Sequence, residues 1–225
     1  MKEETALRTE MIWVCRKLEE KGLIAASDGN VSCRLGENRL LITPSGKAKG
    51  ELRPLDMLLV DLEGSVLAGD GKPSSEIRMH LLVYRKRPDV EAVVHAHPPM
   101  LTALTLANVP FPADVLPEVW LAIGPVPTAP YATPTTEEVP ASITPFVEDH
   151  KAMLLERHGS LTFGRSPKEA YLRVEKLEHA AHTLFYAYQL NRGLPSPLSE
   201  AQKTKLSSLL HRTSGGSRAL DDVKE

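Results

Sequence analysis

The chain predicts an α/β or α+β fold around a single hydrophobic core, and three observations carry that reading. Its 225 residues, 42% of them hydrophobic, suffice to bury one substantial core and fall within the range of a single domain. Short β-branched and apolar segments bounded by Gly, Asn and Pro are interspersed with stretches in which apolar residues recur at helical spacing. No period of about 20–50 residues repeats, which excludes a solenoid or propeller.

Between Glu4 and Lys21, the residues Leu7, Met11, Val14, Cys15 and Leu18 follow helical spacing, and Gly22 stands where a C-terminal cap would. "NVSCRL" and "RLLITPSG" read as strands, and "DMLLVDLEGSVLAG" as a hairpin turning at Glu63-Gly64. "KPSSEIRMHLLVYRKRPD" opens with Pro and a capping serine pair. It sets Ile77, Leu81 and Tyr84 at helical intervals and stops at Pro88, so Glu76 lies in a helix's first turn. "VEAVVHAH" is a strand, and "PPMLTALTLAN" a helix started by its prolines. The Pro-rich stretch from Val109 to Thr136 reads as short strands and loops. "EEVPASITPFVEDH" is a helix, "KAMLLERHGSLTFG" a strand, turn and strand, and "SPKEAYLRVEKLEHAAHTLFYAYQL" a long amphipathic helix capped at Ser166. Residues 1–192 are taken as the domain. Residues 193–225 are polar and are expected to be helix-weak and loosely held.

The 27 basic and 29 acidic residues nearly balance, so neither nucleic acid nor an anionic membrane is an expected partner, and any phosphate must be held locally. Cys15 shares a helical stripe with Ile12 and Leu18. It and Cys33 are too few for a disulfide framework, and both read as reduced packing thiols. With no signal-like start and no apolar run near the length of a membrane span, the expectation is a cytoplasmic protein.

The chemistry concentrates in a few places. In "VVHAHPPM", alternate residues of a strand share a face, so His95 and His97 could grip one ion. His158 also ends an apolar strand and is followed by Gly. Convergence of the three would give a zinc site of three nitrogens with an open fourth position, the form of a catalytic metal. Taken alone, such residues are more often ordinary surface or packing histidines and, at His158, a turn residue. His80, His179 and His182 sit on helices with packing or surface roles, and His150 and His211 lie in polar stretches. Gly29 and Asn30 in "SDGNVS", and Ser45 and Gly46 in "TPSGK", occupy tight turns that expose backbone N–H groups. Ser74 and Ser75 offer two hydroxyls at a helix amino terminus. Each of these also fits a plain turn or cap.

Taken in order, "GNVS", "LITPSG", "PSSE", "VVHAHPP", "APYAT", "LLERHG" and "EAYLRVEKLEHAA" make the sequence resemble the class II aldolase and adducin amino-terminal family, from about Thr5 to about Tyr188. The resemblance implies a central mainly antiparallel sheet flanked by helices. It implies a homotetramer with active sites at subunit interfaces. It also implies one Zn2+ per subunit held by His95, His97 and His158. Glu76 would touch the metal without substrate and act as the acid–base with it. Gly29, Asn30, Ser45, Gly46, Ser74 and Ser75 would form the pocket for a substrate phosphate. The implied activity is aldol cleavage of a small ketose 1-phosphate to dihydroxyacetone phosphate and an aldehyde. Epimerase, dehydratase and decarboxylase relatives share the metal chemistry, and a metal-free assembly module of the adducin kind is the remaining alternative. The sequence departs from fuculose-phosphate aldolase in one respect: "VLPEVWLAIG" has Glu118 and Trp120 where that enzyme has a tyrosine, and the carboxyl-terminal tail has none either. Tyr131 could stand in for that tyrosine, but reads first as a packing residue.

Overall fold

Among the described residues, eight strands form one sheet in the order β4-β3-β2-β1-β5-β8-β7-β6. The computed structural model describes residues 2–193 and 195–215. The strands are β1 (Asn30–Arg34), β2 (Arg39–Ile42), β3 (Leu58–Asp61), β4 (Val66–Ala68), β5 (Ala92–Ala96), β6 (Thr128–Ala129), β7 (Ala152–Leu155) and β8 (Gly159–Gly164). Every pairing is antiparallel except the edge pair β6–β7. The expected class, a mainly antiparallel sheet between helices, is therefore the one found.

Alternation along the central strands divides the core. On one face, Val31, Cys33, Ala92, Val94 and Ala96 pack with residues of α1 (Lys2–Glu20) and α6 (Pro167–Asn191). On the other, Val93, Leu161 and Phe163 pack with α2 (Ile77–Lys86) and α5 (Glu138–Ile143). A third cluster joins α3 (Pro99–Leu106), α4 (Pro117–Ala122) and the later turns of α6 to β7. At about 25 cal/mol per Å² of apolar area buried, these three clusters supply the main stabilising term. Cys15 and Cys33 are buried free thiols, each pushed up to about 12 by that burial, and so are poor nucleophiles.

Local chemistry sets two of the element ends. The β3–β4 turn closes because the Asp61 carboxylate accepts from the backbone N–H groups of Glu63 and Ser65, with Gly64 at φ +91. Ser166 caps α6 by accepting from Glu169 N at 3.2 Å.

Two sequence readings need correction. The Pro-rich stretch contains a helix, α4, which Pro117 starts and whose Val119 is buried beside Ile123 in the α6 cluster. Proline density pointed to loops, but a proline at the first turn of a helix costs nothing. The polar stretch after Arg192 is not helix-weak: α7 (Glu200–Gly215) follows a reciprocal cap, in which Ser199 N donates to Gln202 Oε1 and Gln202 N to Ser199 Oγ. Leu198 N donates to Asp114 O, while Lys203 pairs with Asp114 at 3.0 Å and lies over the Trp120 ring. Residues 216–225 fall outside the described residues. Among the described residues, no helix is long and apolar enough to cross a membrane.

Candidate metal centre and anion pocket

The sheet brings the three histidines together at one end. His95 is the penultimate residue of β5, opposite Asn30 of β1, and is fully buried. His97 lies one residue beyond the strand, tied by its backbone N–H to Leu23 O. His158 sits in the turn between β7 and β8. Two glycines permit this crowding. A Cβ at Gly29, which also has φ +69, would come within 2.6 Å of the Ile24 side chain and 3.0 Å of His95 O. One at Gly159 would meet Ala96 O at 2.3 Å and the His97 ring at 2.9 Å. Beside His158, Arg157 adopts φ +60, a conformation costing of the order of 1 kcal/mol. Its backbone N–H donates to Thr105 Oγ1, which helps hold that turn.

The ring centroids are 4.7 to 4.9 Å apart. Glu76, which stands immediately before α2 rather than inside its first turn, places Oε2 3.3 Å from His95 Nε2 and Oε1 3.1 Å from His158 Nε2. One donor atom from each of the four residues lies within 4.8 Å of the rest. The donor set fits a transition-metal ion, and the tautomers agree with it. His95 Nδ1–H donates to Ser160 O at 2.9 Å, which leaves the Nε2 lone pair facing inward. His97 Nδ1 faces the Asp28 carboxylate at 3.5 Å, and its Nε2 lies 2.8 Å from His95 Nε2. Burial first, then the neighbouring His95 and His158, push His97 down to about 3, so it stays neutral, the state a metal requires. Burial would raise the Glu76 carboxyl, but His95 and His158 outweigh it and hold it well below the usual carboxylate range.

A cavity of about 440 Å³ opens above this cluster. Glu76, His97 and His158 line it together with all six residues read from the turns, namely Gly29, Asn30, Ser45, Gly46, Ser74 and Ser75. Backbone bonds between the turns explain the gathering: Ser45 N donates to Lys72 O and Ser74 N to Thr43 O. His95 is the only predicted site residue outside the lining, being covered from below by the sheet.

The sequence reading missed Lys49, which lines the same cavity and is 2% exposed. Its ammonium donates to Ser27 O and Lys47 O at 2.6 and 2.9 Å, and no carboxylate lies within ion-pair distance among the described residues. Burial lowers its pKa, while Cys15, Asp28 and Glu76 act in the opposite direction. In "GKAKGE" nothing distinguishes this lysine from a surface residue, because a short helical turn at Lys49–Glu51 is what folds it inward. His80, read as a helix residue with a packing or surface role, packs in the core. That imidazole is fully buried, donating from Nε2 to Asn30 Oδ1 and accepting at Nδ1 from Ser32 Oγ. Tyr131 is not a packing residue: it is 57% exposed, because its loop leaves the sheet edge after β6. A larger cavity of about 860 Å³ between α3, α4 and α6 includes Glu118 and His179, but no comparable cluster of donor atoms is found there among the described residues.

Comparison with known proteins identifies the family. The model of the class II aldolase and adducin N-terminal domain matches residues 9–185. The chain is 35% identical over 188 residues to the 3-oxo-tetronate 4-phosphate decarboxylase of Escherichia coli K12, covering 82% of this chain and 88% of that protein. Among solved structures, YgbL of Klebsiella pneumoniae superposes with a TM-score of 0.83 at 32% identity, covering 90% of this chain and 98% of that one. The L-fuculose-1-phosphate aldolase of Thermus thermophilus gives 0.75 at 32% identity, covering 84% and 98%. With a sheet of the expected topology and a family match across most of its length, the chain belongs to the class II aldolase and adducin N-terminal domain family.

Proposed function

We propose that this protein is a divalent-metal-dependent carbon–carbon lyase acting on a small phosphorylated sugar, with aldol cleavage of a ketose 1-phosphate as the first reading. The observation that carries it is a carboxylate and three imidazoles at the floor of a cavity whose wall holds hydroxyls, turn amides and a buried ammonium without an ion-pair partner among the described residues. A buried cation is costly unless an anion joins it, which favours a phosphorylated substrate. A cation held by His95, His97 and His158, zinc on this donor set, would supply the positive charge that neutralises two adjacent substrate oxygens as the bond breaks.

The protein's own groups do the rest. Lys49, Ser45, Gly46, Ser74 and Ser75 hold the phosphate, and binding energy remote from the reacting carbon thereby orients the substrate. In aldol cleavage the C4 hydroxyl gives its proton to the Glu76 carboxylate and the C3–C4 bond breaks, with the electron pair staying on C3. Glu76 then delivers a proton to that carbon to give dihydroxyacetone phosphate. Decarboxylation of a 3-oxo acid 4-phosphate ends on the same species. There the C1–C2 bond breaks, carbon dioxide leaves, and protonation of the resulting enediolate at C2 again gives dihydroxyacetone phosphate. One observation favours this second reading: the 115–124 segment carries Glu118 and Trp120 but no tyrosine to take the C4 hydroxyl proton in place of Glu76 as the aldehyde forms, whereas loss of carbon dioxide requires no hydroxyl to be deprotonated.

The test is to incubate metal-loaded protein with a panel of ketose 1-phosphates and with 3-oxo-tetronate 4-phosphate, following dihydroxyacetone phosphate, aldehyde and carbon dioxide together. Aldehyde release selects the first reading and carbon dioxide the second. Absence of dihydroxyacetone phosphate from every substrate overturns both. For the phosphate pocket, Lys49→Met and Ser75→Ala are expected to weaken binding of the phosphorylated ligand by about tenfold or more, the scale of one lost charge-assisted hydrogen bond. An unphosphorylated analogue should be affected little, and equal weakening of both ligands would remove these residues from the pocket.

The proposal extends to a homotetramer with shared sites. Leu172, Phe185, Tyr186, Tyr188 and Leu190 leave an exposed apolar stretch on α6, which also borders the larger cavity. Sedimentation checks it, and a fully active monomer would exclude it.

A further inference from the structure

Two polar stripes meet inside the core behind Glu76. On β1, Asn30, Ser32 and Arg34 alternate with the apolar Val31 and Cys33 and share one face of the strand. Beginning at the start of α2, Glu76, His80 and Tyr84 recur every four residues and share one face of the helix. Asn30, Ser32, His80 and Tyr84 are all nearly or fully buried. A core of this kind is expensive unless every polar atom is satisfied. Here the atoms form an unbroken chain: Tyr84 OH to Ser32 Oγ at 2.8 Å, Ser32 Oγ to His80 Nδ1 at 2.6 Å, His80 Nε2 to Asn30 Oδ1, and Asn30 Nδ2 to Glu76 Oε2 at 2.9 Å.

Chemistry fixes the direction of every bond. An ionised Glu76 can only accept, so the Asn30 amide nitrogen faces it and the amide oxygen faces His80. That oxygen also only accepts, so His80 carries its proton on Nε2 and its Nδ1 is bare. The bare Nδ1 takes the single Ser32 hydroxyl proton, and Ser32 Oγ is left to accept from Tyr84. All donors therefore point toward Glu76. No link can be reversed without setting two donors or two acceptors against each other.

We propose that this directed chain is the device that positions Glu76 for proton transfer, with His80 and Ser32 as positioning residues acting through Asn30. The inference rests on the proposed role of Glu76. It also changes the part played by Asn30. With its oxygen and one N–H committed to His80 and Glu76, Asn30 has a single N–H left for the cavity, so it governs turnover at least as much as substrate affinity.

The experiment has two arms. In metal-free protein labelled with 15N-histidine, the His80 nitrogen shifts should report Nε2–H and bare Nδ1, unchanged between pH 8 and pH 5. A buried imidazole pushed down to about 3 by desolvation does not titrate in that range. An Nδ1–H tautomer, or an imidazolium forming in that range, overturns the proposal. In the second arm, metal-loaded variants are compared for exchange of the carbon-bound hydrogen of dihydroxyacetone phosphate with deuterated water, alongside the affinity for that ligand. His80→Leu is expected to lose about tenfold or more of the exchange rate at unchanged metal content and ligand affinity, the range for partners that orient site groups from behind. His80→Gln, which keeps an N–H toward Asn30, should recover most of the loss. Ser32→Ala, which removes only the donor to Nδ1, covers the case in which His80→Leu fails to fold, and it should slow exchange in the same direction. Undiminished exchange in both His80→Leu and Ser32→Ala, or a loss that His80→Gln does not recover, overturns the positioning role. Absence of exchange in the wild type counts against the proposed function, and the tautomer arm then decides the chain by itself.

Discussion

Glu76→Gln protein is expected to fold, keep its metal and still bind dihydroxyacetone phosphate, yet lose at least about a hundredfold of the exchange of that ligand's carbon-bound hydrogen with solvent. The amide keeps the shape of the side chain and a carbonyl oxygen that can face the histidines at the 3.1 to 3.3 Å now held by the carboxylate. It cannot take a proton from carbon. The expected loss is the lower end of what a positioned general base contributes. Exchange followed by NMR suits the question because aldol cleavage and decarboxylation converge on the same enediolate, so the measurement needs neither the true aldehyde nor the true acid. Wild-type exchange by metal-replete Glu76→Gln protein would assign the proton transfer to another group. Glu76 is the best-placed candidate because it is the carboxylate that reaches both His95 and His158.

The second large effect is loss of the metal itself. His95→Ala, His97→Ala and His158→Ala are each expected to lower zinc affinity by more than about a hundredfold, since even the partners that orient ligands from behind are worth roughly 10–100-fold. Activity should fall with metal content and return only at high added zinc. Asp28→Asn offers a graded comparison, because it removes the charge facing His97 Nδ1 while sparing all three Nε2 atoms. Its loss should be smaller than that of any ligand variant. Stoichiometric zinc and full activity in His158→Ala would remove that residue from the ligand set, leaving His95, His97 and Glu76 as the donors to re-examine.

The sequence by itself determined the class of fold and named most of the residues that the structure gathers around one cavity. Local patterns carried them: a two-residue period put His95 and His97 on one side of a strand, Gly after His158 marked a tight turn, and a serine pair ahead of a helical stripe marked Ser74 and Ser75. Two helices escaped for local reasons as well. Proline density hid α4, and the Ser199–Gln202 cap that starts α7 was legible in "SEAQ" but lost among polar neighbours.

Only the tertiary structure decided which polar residues face inward together. Lys49 is an ordinary lysine in sequence, and becomes a buried cation because its turn folds back onto Ser27 O and Lys47 O. Asn30 and Ser32 on β1 and Glu76, His80 and Tyr84 along α2 each show a period, but neither period states that the two polar faces will be packed against each other. That choice is made by α1 and α6, which bury the apolar side of β1 and leave its polar side to face α2. A hydrogen bond between residues 46 or 50 positions apart, as between Asn30 and Glu76 or Asn30 and His80, exists only after the sheet has closed that distance.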